Sequence, residues 1–435
     1  MNRSEEVPAE KAGTRTEERI VLLTLAAVQF ISIVDFMVIM PLGPQLMRSL
    51  EIGPSQFGLV VSCYTLAAGV AGLFASSFAD RVGRKTAFLG LDAGFLVGTL
   101  LCGLAPTYGT LALARLATGA FGGILGGMAM AIIGDVFPEE RRGRATGALM
   151  SAFALASVAG VPIGLFLGNW LGWHAPFLVL AAIGVPVLAV AAVTMPPLRG
   201  HIGEHTADHH PVRLLVETFT EPNHVRAFAL VMALMLAGFS VFPFISPYLV
   251  SNVDMAENQL PLMFVAGGVM SLFSSPLIGR LADRYGKLRV FRFIAPASAV
   301  LTLWVTSLTP VPTVVAVMAV ASLMVANSGR MVAAMAMITS SVVPARRGGF
   351  LTASSSVQHL AAGLGAYVGG LIIVETADGR LGNFWIVGLL SAVASIVSLW
   401  LAGRIRTAEV ETPISTNQAL AAAAEALCDA TEPLV

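Results

Sequence analysis

Twelve apolar runs, most of them close to the length that crosses a bilayer, leave this chain few folds. They cover residues 20–43, 56–77, 86–105, 108–134, 145–169, 174–195, 225–250, 259–279, 290–308, 312–340, 351–374 and 382–403. A membrane-crossing helix needs about 20 predominantly apolar residues, and only helices and closed barrels satisfy their backbone groups in lipid. The chain is 56% hydrophobic and 12% charged, about half the charged share of a soluble domain, so a bilayer is its natural solvent. The expected class is an all-α integral membrane protein of twelve helices in two six-helix, pseudo-symmetric halves.

The halves are read from a repeat. Ser76-Ser77-Phe78-Ala79-Asp80-Arg81-Val82-Gly83-Arg84-Lys85 separates the second and third runs. Gly279-Arg280-Leu281-Ala282-Asp283-Arg284-Tyr285-Gly286-Lys287 separates the eighth and ninth. Asp, Arg, Gly and a further base recur at one spacing. A second pair, Pro138-Glu139-Glu140-Arg141-Arg142-Gly143 and Pro344-Ala345-Arg346-Arg347-Gly348, follows the fourth and tenth runs at nearly the same offset. Internal duplication of this kind is common among secondary transporters. The expected division is an arm 1–19, a bundle 20–196, a linker 197–224, a bundle 225–403 and a tail 404–435.

Charge orients the runs. With the N-terminus cytoplasmic, all but four of the 26 Lys and Arg residues fall on the inner side. Arg48 and Arg380 are in outer loops, and Arg115 and Arg330 lie inside runs. The positive-inside rule therefore puts both termini in the cytoplasm. The zero net charge offers no case for a nucleic-acid partner. Residues 1–19 lack the apolar core of a cleavable signal, so the first run is expected to act as an uncleaved anchor. Cys63, Cys102 and Cys428 imply no disulfide framework. His201, His205, His209, His210 and His224 crowd the linker, but no Cys or carboxylate array completes a metal set, and a solvated loop is expected. Pro211 to Phe219 is read as a short interfacial helix.

The two charged turns resemble the signature turn of the major facilitator superfamily, between its helices 2 and 3 and again between 8 and 9. Ser76 stands where the family commonly has Gly, while Gly279 keeps it. Leu113-Ala114-Arg115-Leu116-Ala117-Thr118-Gly119 resembles the helix-4 motif of proton-driven members. Gly160-Val161-Pro162-Ile163-Gly164 is similar to the helix-5 antiporter motif of arabinose-efflux and drug-efflux permeases, with His174 where these often carry Arg. The resemblance covers about residues 20–403. It implies alternating access, a small-molecule substrate, protons as the coupling ion, no cofactor and a monomer in the bacterial inner membrane. It also implies a cytoplasmic gate built from Asp80, Arg81, Gly83, Arg84, Lys85 and Asp135, with Gly279, Asp283, Arg284, Gly286 and Lys287 in the second half. The competing role for those turns is topology alone. Gly160, Pro162 and Gly164 are implied to seal the cavity against proton leak, with close helix packing the simpler role.

Asp35 is the residue to watch. It lies inside the first run, roughly 12 Å from its outer end at 1.5 Å per residue. An isolated acid at bilayer depth is costly, so it faces the interior and often has a function. Arg115 is expected at matched depth on the fourth run. The two are read as a proton-coupling pair, or else as a purely structural ion pair. Asp92, on the third run, is read as structural or transporting. The cavity is expected between helices 1, 4, 7 and 10, offering Gln29, Ser32, Phe239, Phe242, Asn327 and Arg330. Arg330 is read as binding an anionic or polar substrate, or as held by backbone carbonyls. His359 is read as packed. Pro243 and Pro247 are expected to let helix 7 bend.

The chain lacks a Gly-rich Lys-Ser/Thr phosphate loop and a His-Glu-x-x-His helix, which argues against ATP use and intramembrane proteolysis. The function read from the residues is proton-antiport export of a small molecule. A proton symporter or facilitator for a sugar or nucleoside, and a non-transporting membrane sensor, stay open as alternatives.

Overall fold

The computed structural model describes residues 15–79, 83–196, 217–343 and 347–406. Asp80, Arg81, the arm 1–14, four of the linker histidines (His201, His205, His209, His210), Arg346, the Ala419 to Ala424 run and Cys428 lie outside the described residues.

Among the described residues, twelve helical spans follow in order. Span 1 is Arg15–Val38, span 2 Pro54–Ala79, span 3 Arg84–Gly103 and span 4 Tyr108–Val136. Span 5 runs from Glu139–Leu155 through a π-helical turn, Ala156–Gly160, into Val161–Leu171, and span 6 is Ala175–Thr194. Span 7 is Pro222–Phe239 and Ile245–Asn252, separated by a break with one 3-10 turn at Phe242–Phe244. Spans 8 to 12 are Leu260–Tyr285, Lys287–Thr306, Thr313–Ser340, Arg347–Ile372 and Phe384–Ala402. Among the described residues, eleven stretches are long and apolar enough to cross a membrane, and span 11 is not among them. Its small residues explain this. Gly363, Gly365, Ala366, Gly369 and Gly370 are buried against other helices rather than spent on lipid. Large apolar side chains such as Phe166, Trp170, Val193, Phe273, Phe293 and Trp400 stay exposed, as a lipid-facing surface requires.

The charge distribution predicts which end of each span is outer and which is inner. The two halves meet along spans 2 and 11 and along spans 5 and 8. Ser62 Oγ donates to the Gly363 carbonyl at 2.8 Å across the first seam. At the outer end Arg48 pairs with Glu257, and Asn169 Nδ2 donates to the Glu257 carbonyl at 3.2 Å. At the inner end the ties run within a half. Arg141 grips Glu18 at 2.6 and 3.0 Å, Arg84 pairs with Asp135, and Asn223 bonds Ser341 and Arg406.

Three expectations need correction. Span 1 ends at Val38 rather than 43, because the chain turns there and re-enters as a short helix, Gly43–Ser49, with Pro44 in its first turn. Asp35 is therefore under one turn from the helix end, and the buried plug Ile39, Met40 and Leu42 supplies the depth that helix length was expected to give. Span 5 begins at Glu139, earlier than read, since Glu139 and Glu140 suit a helix N-terminus. The outer loop before span 12 carries a two-stranded pairing: Val374–Glu375 and Leu381–Gly382 run antiparallel, held by Asn252, which bonds both backbone groups of Leu381.

Candidate functional site

Asp35 sits where four helices of the first half converge. Its Oδ2 accepts from Arg115 Nη1 at 2.8 Å, and its Oδ1 accepts from Thr99 Oγ1 at 3.1 Å. Arg115 Nη1 also reaches the Asp35 carbonyl at 3.3 Å. Both charged side chains are fully shielded from solvent. A buried pair of this kind holds only while both partners are charged, because either charge alone is costly in a medium of low polarity. Arg115 is poorly served beyond Asp35, since among the described residues its Nε and Nη2 find no hydrogen-bond partner. Its guanidinium instead lies 4.5 Å over the Tyr64 ring and 6.0 Å from the Phe177 ring. Electrostatic attraction to the ring face stabilises a cation so placed.

The local sequence explains the convergence. Gly160 and Gly164 on span 5 lie against Val34 and Val38, which brings span 1 close at the level of Asp35. Gly119 brings span 4 against the backbone of Tyr64, where any side chain would collide with the Tyr64 carbonyl. Thr118 Oγ1 is tied to the Ala114 carbonyl at 2.7 Å and lies 3.6 Å from Cys102 Sγ, closing the site toward span 3.

Of the expected cavity residues, Ser32 is buried beside Tyr64, and Gln29 is half-buried alongside Gly126. Phe239 meets Phe36 at 5.9 Å, across the two halves. Phe242 instead turns to Phe264 of span 8, 6.3 Å away and nearly perpendicular. Asn327 is half-buried on span 10. Arg330 does not join this group. It is buried, and its Nη1 donates to Ser395 Oγ of span 12 at 2.7 Å, inside the second bundle. Asp92 is buried, with one oxygen unpartnered among the described residues, and His359 is half-buried. Pro162 lies two residues past the π turn, and both it and Gly160 are buried.

The basic residues that close the two charged turns make a corresponding contact in each half. Arg84 Nη1 donates to the Ala131 carbonyl of span 4, and Lys287 Nζ donates to the Ala336 carbonyl of span 10, both at 3.1 Å. The first half adds the Asp135 carboxylate, and Lys85 Nζ reaches the Met195 carbonyl at 2.6 Å. Gly83 precedes span 3, and Gly286 takes φ +92° between spans 8 and 9, a conformation open to few other residues. A Cβ on Gly279 would lie 4.0 Å from Val332, so that glycine packs loosely. Asp283 and Arg284 are exposed, with Arg284 5.3 Å from its neighbour's ring.

Sequence reasoning missed Thr99, Tyr64, Phe36 and Phe177. Thr99 had one usable signal: it lies two turns from Asp92, and so on the same helix face. The aromatic groups had none, because an aromatic residue in an apolar run reads equally well as lipid-facing.

The profile of the Major Facilitator Superfamily matches residues 25–240 and again 227–428, one copy for each half. The chain belongs to the major facilitator superfamily. Among its relatives in that superfamily is the uncharacterized transporter YceJ of Bacillus subtilis (strain 168), 24% identical over 375 residues, 86% of this chain and 93% of that one. The chloramphenicol resistance protein of Streptomyces lividans is 24% identical over 365 residues, 82% and 90% of the two chains. Among solved major facilitator structures, a bacterial homologue of the human lysosomal transporter Spinster, inward-facing and unoccupied, gives a TM-score of 0.70 at 19% identity, covering 90% of this chain and 97% of that one. The D-xylose–proton symporter gives 0.73 at 14%, covering 90% and 100%. At these identities the structures speak for the twelve-helix fold alone. Membership of this superfamily makes the chain a multi-pass membrane transporter with a small-molecule substrate.

Proposed function

We propose that this transporter exports a small molecule across the bacterial inner membrane in exchange for protons, with both termini cytoplasmic and the bundles 20–196 and 225–403 rocking as units. The observation that carries the reading is the shielded Asp35–Arg115 pair with Thr99 on the second carboxylate oxygen. An acid with a single counter-charge, sealed at membrane depth, is suited to exchange a proton for a conformational change. The efflux direction draws support from the Streptomyces relative, named for chloramphenicol resistance. The driving force is about 2.3 kcal/mol per charge per 100 mV of membrane potential, added to the proton gradient.

The second reading is proton symport of a sugar, and the fold likeness to the D-xylose–proton symporter favours it. The two predict opposite proton flow. In liposomes with a trapped pH dye, chloramphenicol, D-xylose and uridine are added in turn to wild type and Asp35→Asn. Antiport requires proton movement against the direction of chloramphenicol, lost in Asp35→Asn. Proton movement alongside D-xylose establishes symport. Binding without flux marks a sensor, and an Asp35→Asn variant equal to wild type removes Asp35 as the proton site.

A further inference from the structure

Four aromatic rings and one cation form a line of contacts from span 6 to span 7. Arg115 stands between Phe177 and Tyr64. Tyr64 stacks on Phe36 at 5.2 Å with 30° between planes, and Phe36 meets Phe239 at 5.9 Å. All but Phe239 belong to the first half. Two features set this line apart from ordinary packing. The backbone at Tyr64 is pressed against Gly119, so its ring, set under the Arg115 guanidinium and against Phe36, is the part that would carry a displacement. Phe239 is the last residue of Pro222–Phe239, so the line ends where span 7 breaks.

We propose that Tyr64 and Phe36 are positioning residues that couple the charge of Asp35 to the break in span 7, and through it to the relative motion of the halves. The inference rests on the reading of Asp35 as the proton site. When Asp35 takes a proton, the attraction between its Oδ2 and Arg115 is lost. The guanidinium, already without acceptors at Nε and Nη2 among the described residues, then keeps the Asp35 carbonyl and the faces of Tyr64 and Phe177. The Tyr64 ring follows the cation. Phe36, next to Asp35 in sequence and stacked on Tyr64, shifts with both, and its contact with Phe239 changes. The other titratable groups facing the pair are Tyr64 and Cys63 on span 2 and Cys102 on span 3, so Asp35 is the one acid among them.

The test is a distance between halves as a function of pH, and it needs no substrate. Spin labels at Arg144→Cys and Arg289→Cys, exposed at the inner ends of opposite halves, are read by pulsed electron resonance in the full chain with Cys63→Ser and Cys428→Ser. The parent distribution is expected to shift between pH 6 and pH 8, and Asp35→Asn to abolish the shift. Tyr64→Phe keeps it. Tyr64→Leu, Phe36→Leu and Phe239→Leu reduce it by about five-fold or more. Phe239→Leu approaches the line from the far half and leaves the ion pair untouched, so a folding defect near Asp35 does not decide the result. A shift that Asp35→Asn abolishes and all three leucine variants retain overturns the relay alone. A shift that survives Asp35→Asn, or a parent distribution indifferent to pH, overturns the proton-site reading and the relay with it.

Discussion

Arg48 of the first half and Glu257 of the second form an ion pair across the outer seam, next to the contact between Asn169 and Glu257. The hydrogen bond to Glu257 raises the Arg48 pKa further, so the guanidinium stays charged at every working pH. Arg48 is 62% exposed at its side chain, so solvent screens most of the attraction. Pairs of this exposure contribute about 0.2–1 kcal/mol, or up to about a five-fold change in an equilibrium. Arg48→Glu removes the attraction and adds a like-charge repulsion, so it is expected to shift the conformational population toward opening at the outer end by up to about twice that free energy. Combining it with Glu257→Arg restores the balance. Alkylation of a cysteine placed at Ser251, which lines the outer cavity of about 430 Å³ beside Arg48 and Glu51, measures the opening. Unchanged labelling in Arg48→Glu would show that the apolar seams alone hold the outer end.

The Asp35–Arg115 pair makes a prediction about stability that is separate from transport. Removing one partner of a buried pair leaves an uncompensated charge, at a cost of about 3–5 kcal/mol. Asp35→Asn is therefore expected to lower the thermal unfolding temperature in detergent markedly. The double variant Asp35→Asn with Arg115→Gln removes both charges and should recover much of the loss, with transport still absent. Arg115→Lys is expected to behave as a loss variant, because an ammonium does not span the carboxylate, the carbonyl and the Tyr64 face together. A double variant no more stable than Asp35→Asn alone would mean that packing, not charge compensation, dominates the site.

Two glycines of span 4 should respond in opposite ways to one added methyl group. A Cβ at Gly119 would come within 2.7 Å of the Tyr64 Cα and closer still to its carbonyl oxygen, backbone atoms that have no rotamer to change. Overpacking of this kind costs about 1–3 kcal/mol, and rigid backbone puts Gly119→Ala at the upper end. Gly127 has nothing within 4 Å of the same position, so Gly127→Ala should be neutral or slightly stabilising through its higher helix propensity. Thermal unfolding and expression of the pair are the measurement. Equal behaviour would mean that spans 2 and 4 do not approach at Gly119 as described.

Much of the fold was legible because lipid imposes a simple rule. Apolar runs of fixed length must be helices, and their flanking charges orient them, so run after run maps onto a span. The sequence was less informative where a span departs from a straight helix. Span 1 stops at Val38, yet the apolar residues continue to residue 43, because the turn and plug that follow are themselves buried. At the site, Asp35 and Arg115 stood out because charge is rare in an apolar run. Thr99, Tyr64 and Phe36 did not, because their importance lies in which helix they face, and that is a property of tertiary packing. Arg330 shows the converse: it is as conspicuous in sequence as Arg115, yet its partner is a serine of span 12 within the second bundle.

The repeated turns allow the halves to be compared directly. Arg84 and Lys287 hold corresponding carbonyls, Ala131 and Ala336, but Arg84 has Asp135 as well, and Ser340 occupies the corresponding end of span 10. Arg84→Ala removes a carbonyl ligand and an ion pair together. Asp135→Asn removes the charge pair and leaves the bond to Ala131 in place. With Arg84 and Asp135 both partly exposed, the pair itself contributes at most about 1 kcal/mol. The expected order of destabilisation is Arg84→Ala above Lys287→Ala, with Asp135→Asn smallest. The same order should hold for the transport rate if these turns steady the inner ends while the halves move. Thermal unfolding and uptake into liposomes, measured on the three variants side by side, check both orders. Asp135→Asn matching Arg84→Ala in both measurements would show that the carboxylate, rather than the helix-end carbonyl, is what the turn is built to hold.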